Sequence, residues 1–181
     1  MPAKETRDPR ARILEAADRL FYAEGVRATG TEKIMAESGV AKATFYRHFH
    51  SKDSLVMAYL DDRERRLWEY LNTPEPPRDI FAALQRVERS INAPGVIGCP
   101  FLRVASEFPD TEHALHRRVI AHKEKMVAFF SALLKPLHKD HKVIATQLLA
   151  LADGCLSSRM VYGEGRRVAL MKPAELLLAS R

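Results

Sequence analysis

Hydrophobic residues recur at every third or fourth position through most of the chain, which is the period of an α-helix with one buried face. The first such stripe is formed by Ile13, Leu14, Ala17, Leu20 and Phe21. Its helix is predicted to begin at Asp8 or Pro9, which suit a cap and a first turn, and to end at Glu24 before Gly25. No segment alternates with the period of two that marks a strand, so the pattern predicts an all-α fold.

Six more helices are predicted after residue 50, with proline, glycine or short polar stretches between them. The predicted ranges are 52–71, 78–91, 100–108, 111–134, 142–162 and a short last helix at 173–179. The helix at 52–71 follows the two short helices described next and precedes all the later ones. We therefore expect it to link two parts of the molecule.

The stretch before that helix carries a more specific pattern, in which two short helices are separated by one glycine. Thr29 and Glu32 have the spacing of a capping box, in which a hydroxyl and a carboxylate each accept a hydrogen bond from a free backbone N–H at a helix start. Gly39 follows the first short helix, where the chain needs a left-handed backbone position to turn. The second short helix is predicted to start two or three residues later.

The second short helix divides its side chains between a core face and an outer face. Val40, Phe45 and Phe49 are spaced to pack inward. The outward and flanking positions carry Lys42, Ala43, Thr44, Tyr46, Arg47 and His48. A short helix with a polar, partly basic outer face suits the major groove of DNA, so the two short helices predict a helix-turn-helix.

This region resembles the DNA-binding part of the tetracycline-repressor (TetR) family of bacterial transcriptional regulators. The matching residues are Phe21, Tyr22, Ala23, Glu24, Gly25, Thr29, Ile34, Gly39, Val40, Lys42, Thr44, Tyr46, His48, Phe49, Lys52 and Leu55. The resemblance implies that Thr29 or Thr31 contacts phosphate and that Lys52 holds the DNA backbone. The predicted DNA-binding residues are Thr29, Thr31, Lys42, Ala43, Thr44, Tyr46, Arg47, His48 and Lys52.

Three residues depart from the usual pattern of that family. Met35 stands where a small residue usually follows the isoleucine, Ala41 replaces a common serine cap, and Ala43 replaces a common glycine. Loss of the serine hydroxyl at Ala41 costs helix stability on the order of 1 kcal/mol. The methyl group of Ala43 changes what can approach a base edge and suits contact with a thymine methyl group. Because of these departures, the operator sequence does not follow from the motif.

Charge agrees with a polyanionic partner. The 181 residues carry a formal net charge of +6, and the sequence pI is near 9.5. Through residue 52 there are ten Lys and Arg against seven Asp and Glu, a net of +3, and the remaining 129 residues carry the other +3. We predict a DNA-binding domain at residues 1–52 and a helical effector-binding and dimerisation domain at residues 53–181.

Other features exclude classes of protein. Cys99 and Cys155 lie far apart without a C-x-x-C pair, so neither a zinc site nor a disulfide framework is expected. The first twelve residues are polar, and no run reaches the roughly 18 apolar residues of a membrane span. No glycine-rich phosphate loop, G-x-S-x-G or H-E-x-x-H motif occurs. We expect a cytoplasmic protein that is not an enzyme and has no cofactor, metal or membrane partner.

The helix predicted at 142–162 is apolar on more faces than one core-facing stripe needs. In a chain of this size, the second apolar side most simply packs against another subunit about a two-fold axis. The residues predicted for this dimer interface are Leu148, Leu151, Ala152, Cys155, Leu156 and Met160, with Gly154 allowing close approach. The resemblance also implies a dimer interface built from the last two helices.

The stretch at 98–110 is similar to one in many family members, and this similarity implies a ligand cavity near it. The candidate wall residues are Trp68, Phe101, Phe108, Met126, Phe129 and Tyr162, each of which also suits an ordinary core position. His113 and His116 are three residues apart and share a helix face. Their polar surroundings favour a solvated face over a metal site.

Together these patterns predict a homodimeric transcriptional regulator, most simply a repressor. It would bind a near-palindromic double-stranded DNA operator and be released by a small hydrophobic effector. One alternative is a DNA-binding regulator of the same fold that responds to a protein partner instead. Another is a Cys/His metal or redox sensor.

Overall fold

The structure is a computed structural model that describes residues 8–179. Within that range the chain forms nine α-helices and one short 3₁₀ turn and contains no strand, as the sequence predicts. The helices are α1 (Pro9–Glu24), α2 (Thr31–Ser38), α3 (Lys42–His48), α4 (Lys52–Leu71), α5 (Ile80–Ile91), α6 (Pro100–Glu107), α7 (Ala114–Leu134), α8 (His141–Tyr162) and α9 (Met171–Ala179). The 3₁₀ turn is Gly163–Gly165.

Helix starts differ from the predicted ones by up to three residues, and local capping explains one of the differences. α5 begins at Ile80 rather than at residue 78 because Asp79 is its N-cap. The Asp79 carboxylate accepts a hydrogen bond from the backbone N–H of Ala82 at 2.8 Å, which satisfies a donor that has no partner within the helix.

The described residues pack as two compact units. The first contains residues 8–64 and 100–119, and the second contains residues 65–99 and 120–179. Two helices, α4 and α7, contribute residues to both units. The boundary predicted at residue 52 divides functions rather than contacts, and it stays a prediction.

The first unit has a core of apolar residues from α1 to α4 together with α6 and the start of α7. Its buried members include Ile13, Ala17, Phe21, Ile34, Phe45, Phe49, Leu55, Leu60, Phe101 and Leu115. Tyr59 is buried edge-on against Phe21, with ring centroids 5.6 Å apart, and burial raises the pKa of its phenol. Arg63 joins α4 to α1 through a hydrogen bond of 2.5 Å to Asp18.

The second unit has a larger core formed by the end of α4 and by α5, α7, α8 and α9. Its buried residues are Leu71, Ile80, Leu84, Val87, Ile91, Met126, Phe130, Leu134, Ile144, Ala145, Leu148, Ala152, Leu170, Ala174 and Leu178. Arg159 is also buried, and its guanidinium donates to the carbonyls of Val96 and Glu164 at 3.0 and 3.1 Å. Glu88 accepts from the N–H groups of Leu170 and Met171 at 2.6 and 2.7 Å, which fixes the start of α9.

None of the helices between residues 8 and 179 combines the length and the apolar composition that a bilayer crossing requires.

Candidate nucleic-acid interface

The turn between α2 and α3 has the geometry that the sequence predicts. Gly39 adopts φ +61° and ψ +34°, a left-handed conformation that glycine takes without steric strain. The guanidinium of Arg12 on α1 donates to the carbonyls of Ser38 and Gly39 at 2.5 and 2.9 Å. Arg12 therefore fixes this turn from the neighbouring helix, and sequence reasoning missed it because nothing local marks a contact over 26 residues.

The capping box predicted at Thr29 and Glu32 is wrong. Gly30 is the N-cap of α2 and makes no side-chain cap bond. Thr29 is fully buried, and its hydroxyl donates to the carbonyl of Gly25 at 2.7 Å, because that acceptor lies in the turn that closes α1. The side chain of Thr29 is thus directed into the unit, and Thr31, which is half-buried, is the threonine that reaches the surface.

A reciprocal capping pair exists at the start of α4, where the sequence analysis did not identify one. The backbone N–H of Ser54 donates to Ser51 Oγ at 3.1 Å, and that of Ser51 donates to Ser54 Oγ at 3.2 Å. This pair fixes the position of Lys52, which opens α4.

The inner face of α3 packs as predicted. Phe45 and Phe49 are buried, with ring centroids 6.3 Å apart, and Val40 is buried beside the turn. Ala41 is the N-cap and makes no side-chain cap bond, as expected from the missing hydroxyl. Tyr46 is 39% exposed and meets the Phe45 ring edge-on at 5.3 Å. The helix is therefore held through its apolar face.

The outer face of α3 presents most of the predicted DNA-binding side chains. Lys42, Ala43, Tyr46 and Arg47 are exposed, and Thr44 and Lys52 are half-buried at its edges. His48 is also half-buried, and its Nε2 is enclosed without a hydrogen-bond partner among the described residues. One continuous helix face thus carries two cations, a methyl group and a phenol.

Positive side chains on this surface differ from several other cations of the first unit, which form ion pairs. Arg19 pairs with Glu37 at 2.8 Å, Lys33 with Glu24 at 2.6 Å, and Arg118 with Asp61 at 2.7 Å. By contrast, within residues 8–179 no carboxylate forms an ion pair with the three cations on and beside α3. These are Lys42, Arg47 and Lys52. Their charge is therefore left to act on an external anion.

The predicted pocket residues fall into both units. Trp68, Met126 and Phe129 lie in the second unit, where Trp68 and Phe129 meet edge-on with centroids 5.2 Å apart. Lys125 Nζ lies 4.9 Å from the centre of the Trp68 ring, and Trp68 Nε1 is buried without a hydrogen-bond acceptor among the described residues. Tyr162, also in this unit, is 56% exposed at the end of α8.

The other two predicted wall residues belong to the first unit. Phe101 is buried there, with the Arg118 guanidinium 5.7 Å from its ring centre. Phe108 lies against the His113 ring at 5.0 Å and under the Arg27 guanidinium at 5.3 Å. Phe108 therefore contacts the turn that follows α1.

The predicted dimer residues on α8 divide by burial. Leu148 and Ala152 are buried in the core of their own chain, so they are not available to a partner, which corrects that part of the prediction. Leu151, Cys155 and Leu156 are half-buried, and Met160 is exposed.

The residues exposed on α8 differ from those predicted for the dimer interface. Val143, Ala150, Gly154 and Val161 are all exposed, and their spacings of seven, four and seven residues keep them on one side of the helix. Beside this stripe, a groove of about 610 Å³ is lined by Leu151, Cys155, Val168 and other residues.

Histidines and cysteines do not assemble a ligand set. His116 Nδ1 lies 2.7 Å from the carbonyl of Phe108, and His113 is half-buried rather than solvated as expected. Among residues 8–179 no group of three or more His, Cys, Asp or Glu side chains could hold a metal ion. Lys123 lies 3.8 Å from Cys99 Sγ but pairs with Asp153 at 2.5 Å.

Comparisons with known proteins agree with this geometry. The family model for bacterial regulatory proteins of the tetR family matches residues 13–59. A TetR-family transcriptional regulator from Streptomyces coelicolor is 32% identical over 95% of both chains, and its crystal structure superposes with a TM-score of 0.84. A putative TetR transcriptional regulator from Streptomyces avermitilis is 29% identical over 96% of this chain and 98% of its own, with a TM-score of 0.83.

Curated relatives extend the comparison to regulators of named activity. The HTH-type transcriptional repressor Rv3405c from Mycobacterium tuberculosis is 35% identical over 105 residues, which are 58% of this chain. The match spans 56% of that relative, about half of its length. Family model, fold and helix-turn-helix geometry lead to one conclusion: the chain belongs to the TetR family of bacterial transcriptional regulators.

Proposed function

We propose that the protein is a cytoplasmic repressor that binds a near-palindromic operator as a homodimer and leaves it when a small, mostly apolar effector binds. The observation that carries the DNA-binding part is the outer face of α3, where Lys42 and Arg47 are exposed and have no carboxylate partner among the described residues. Other cations of the same unit, such as Arg19 and Lys33, are paired with carboxylates. Unpaired cations beside a phenol and a methyl group suit phosphates and base edges in the major groove.

The exposed stripe of α8 supports a second copy of the chain as the dimer partner. Val143 is 52% and Val161 is 74% exposed in the single chain, and Ala150 and Gly154 lie between them. A continuous apolar strip on a helix surface suits contact with another protein, and small residues within it allow two helix backbones to approach. A two-fold axis through this stripe would pair two α3 helices for two half-sites about 34–36 Å apart or a multiple of that.

The effector part of the proposal is supported by the aromatic pair Trp68 and Phe129. A buried indole N–H without an acceptor costs free energy, so a ligand that supplies an acceptor gains from binding there. Lys125 over the Trp68 ring adds a cation beside the same group. We therefore propose an effector with an apolar or aromatic body and one hydrogen-bond acceptor.

The DNA-binding and dimer parts are tested together by selecting duplexes from a random-sequence library with the wild-type protein. The proposal expects the selected duplexes to share an inverted repeat and to bind two chains each, as measured by analytical ultracentrifugation. Selection of no common sequence, or one chain per duplex without a repeat, contradicts it.

The effector part is tested by thermal shift against aromatic compounds with and without a carbonyl acceptor. We expect the carbonyl compounds to raise the melting temperature of the wild type but not of Trp68→Phe, which keeps a ring and removes the N–H. Equal shifts for both proteins contradict a role of this N–H. No shift with any compound favours the alternative, control by a protein partner.

A further inference from the structure

Glu107, the last residue of α6, holds the turn between α1 and α2. Its Oε1 accepts a hydrogen bond from the backbone N–H of Val26 at 3.0 Å, and its Oε2 accepts one from the N–H of Arg27 at 2.5 Å. This turn lies outside both helices, so these N–H groups have no carbonyl acceptor from a preceding helical turn. A carboxylate that accepts from two adjacent donors forms short, charge-assisted bonds and fixes both peptide groups.

Neighbouring residues of α6 add contacts to the same place. The guanidinium of Arg103 donates to the carbonyl of Tyr22 near the end of α1. The Arg27 guanidinium lies over the Phe108 ring at 5.3 Å. Gly25 has φ +92°, a backbone conformation that favours glycine, and a Cβ added there would lie 3.0 Å from Glu107 Oε1. The end of α6 thus contacts both the end of α1 and the turn after it.

This turn leads directly into the DNA-binding helices. The hydroxyl of Thr29 bonds back to the carbonyl of Gly25, which joins the two ends of the turn just before α2 begins. Arg12 then connects α1 to the carbonyls of Ser38 and Gly39, immediately before α3. A displacement of the turn at Val26 therefore changes how α2 and α3 sit on α1.

We propose that Glu107 is a positioning residue for operator binding, and that its carboxylate is the contact through which α6 sets the orientation of the helix-turn-helix. The inference rests on the proposed DNA-binding function. Glu107 itself touches no DNA. Its two oxygens act on the backbone of Val26 and Arg27, so a shift of α6 that breaks these bonds releases α2 and lowers operator affinity.

Glu107→Gln is the sharpest variant because its amide keeps the size of the side chain but has one acceptor oxygen. It therefore retains at most one of the two bonds to the turn, and its NH₂ group faces a donor. Glu112→Gln is the matched control, because the Glu112 side chain is 84% exposed and its ion pair with Arg117 is long, at 3.4 Å. Tyr46→Ala reports on the DNA contact itself.

Three quantities are measured on the intact chain: affinity for the selected duplex, melting temperature, and amide hydrogen exchange at Val26 and Arg27. We expect Glu107→Gln to weaken duplex binding by roughly tenfold, a typical coupling between distant sites. Its melting temperature should remain well above the assay temperature. Exchange should accelerate at Val26 and Arg27 but not in the core of α1. Glu112→Gln should match the wild type in all three.

The outcomes separate this inference from the function on which it rests. Wild-type affinity for Glu107→Gln, with binding weakened in Tyr46→Ala, overturns the positioning role and leaves DNA binding intact. Wild-type affinity for Tyr46→Ala counts against the proposed reading surface instead. Should Glu107→Gln fail to fold, Glu107→Asp, which keeps both oxygens but shortens the reach, must weaken binding with a native melting curve or the positioning role is rejected.

Discussion

The outer faces of α3 and α8 contrast two uses of an amphipathic helix. Both helices bury their inner side, and the buried residues include Phe45 on α3 and Leu148 on α8. The outer face of α3 carries unpaired cations and a phenol, whereas that of α8 carries valine, alanine and glycine beside the uncharged Thr146 and Ser157. The inner faces explain the fold, and the outer faces support the proposal that α3 meets a polyanion and α8 meets another protein chain.

The two surfaces should therefore obey different physics. The proposed binding of DNA by α3 would release counterions, so its strength would fall steeply with salt. The proposed association through α8 would remove apolar area from water and would depend little on salt.

Phe45→Ala should cause the largest loss in the free energy of unfolding. The side chain is fully buried in a small core, so its truncation should lower the free energy of unfolding by about 3–5 kcal/mol and abolish duplex binding. Tyr46→Ala next to it removes an exposed ring and should cost about 1 kcal/mol or less. Urea unfolding of both variants measures the difference. Equal losses would mean that the two faces of α3 are not distinct.

Gly154→Glu should separate the subunits without harming the single chain. A Cβ at Gly154 meets no atom within 4 Å, and replacing a mid-helix glycine favours the helix by up to about 1 kcal/mol. A charge in the proposed stripe should give monomers in sedimentation equilibrium. Ala128→Glu, at an exposed position of α7, is the control and should remain dimeric. A dimeric Gly154→Glu protein would exclude this stripe as the interface.

Lys42→Ala should change the salt dependence of duplex binding. If Lys42 neutralises one phosphate, the slope of log K against log salt should become less steep by about 0.9. Lys33→Ala is the comparison, because Lys33 on α2 is already paired with Glu24 at 2.6 Å. Titrations at several salt concentrations give both slopes. Identical slopes for the wild type and Lys42→Ala would remove Lys42 from the phosphate contacts.

The alkylation rate of Cys155 measures how accessible the α8 surface is, and its expected change is smaller. Burial and the negative charge of Glu88 raise the pKa of the Cys155 thiol, so the reactive thiolate is scarce at pH 8 and increases as the pH rises above the usual thiol range. Alkylation by iodoacetamide, followed by mass spectrometry, should be several-fold faster in wild-type protein diluted to the monomer than in the concentrated dimer. Equal rates would place Cys155 outside the interface.

The sequence predicted most of the helices because periodicity and helix-ending residues are local signals. Residues within one or two helical turns explain the bounds of α1 at Pro9 and Glu24, the left-handed conformation of Gly39 and the burial of Phe45. The missing cap at Ala41 was predicted for the same reason.

Which of several candidate Ser and Thr residues caps a helix was less predictable from the sequence. Thr29 and Glu32 have capping-box spacing, yet the threonine hydroxyl bonds to Gly25 instead, and the reciprocal pair forms at Ser51 and Ser54. Position in the fold decides between such candidates, because a buried hydroxyl takes the acceptor that its surroundings provide.

Long-range contacts carried no sequence signal. Glu107 reaches the N–H of Val26 across 81 residues, and neither residue is unusual in its own neighbourhood. Likewise, an apolar α8 predicted two buried sides, but only packing decided that Leu148 faces the chain's own core and Val161 faces outward.

We propose that α3 binds DNA and that the α8 stripe forms the dimer interface. Sedimentation velocity of the labelled selected duplex with wild type, Tyr46→Ala and Gly154→Glu at one salt concentration tests both assignments. We expect that Tyr46→Ala remains a dimer but leaves the duplex largely free, and that Gly154→Glu is a monomer that also binds weakly. A Tyr46→Ala dimer that binds the duplex as tightly as the wild type would contradict it.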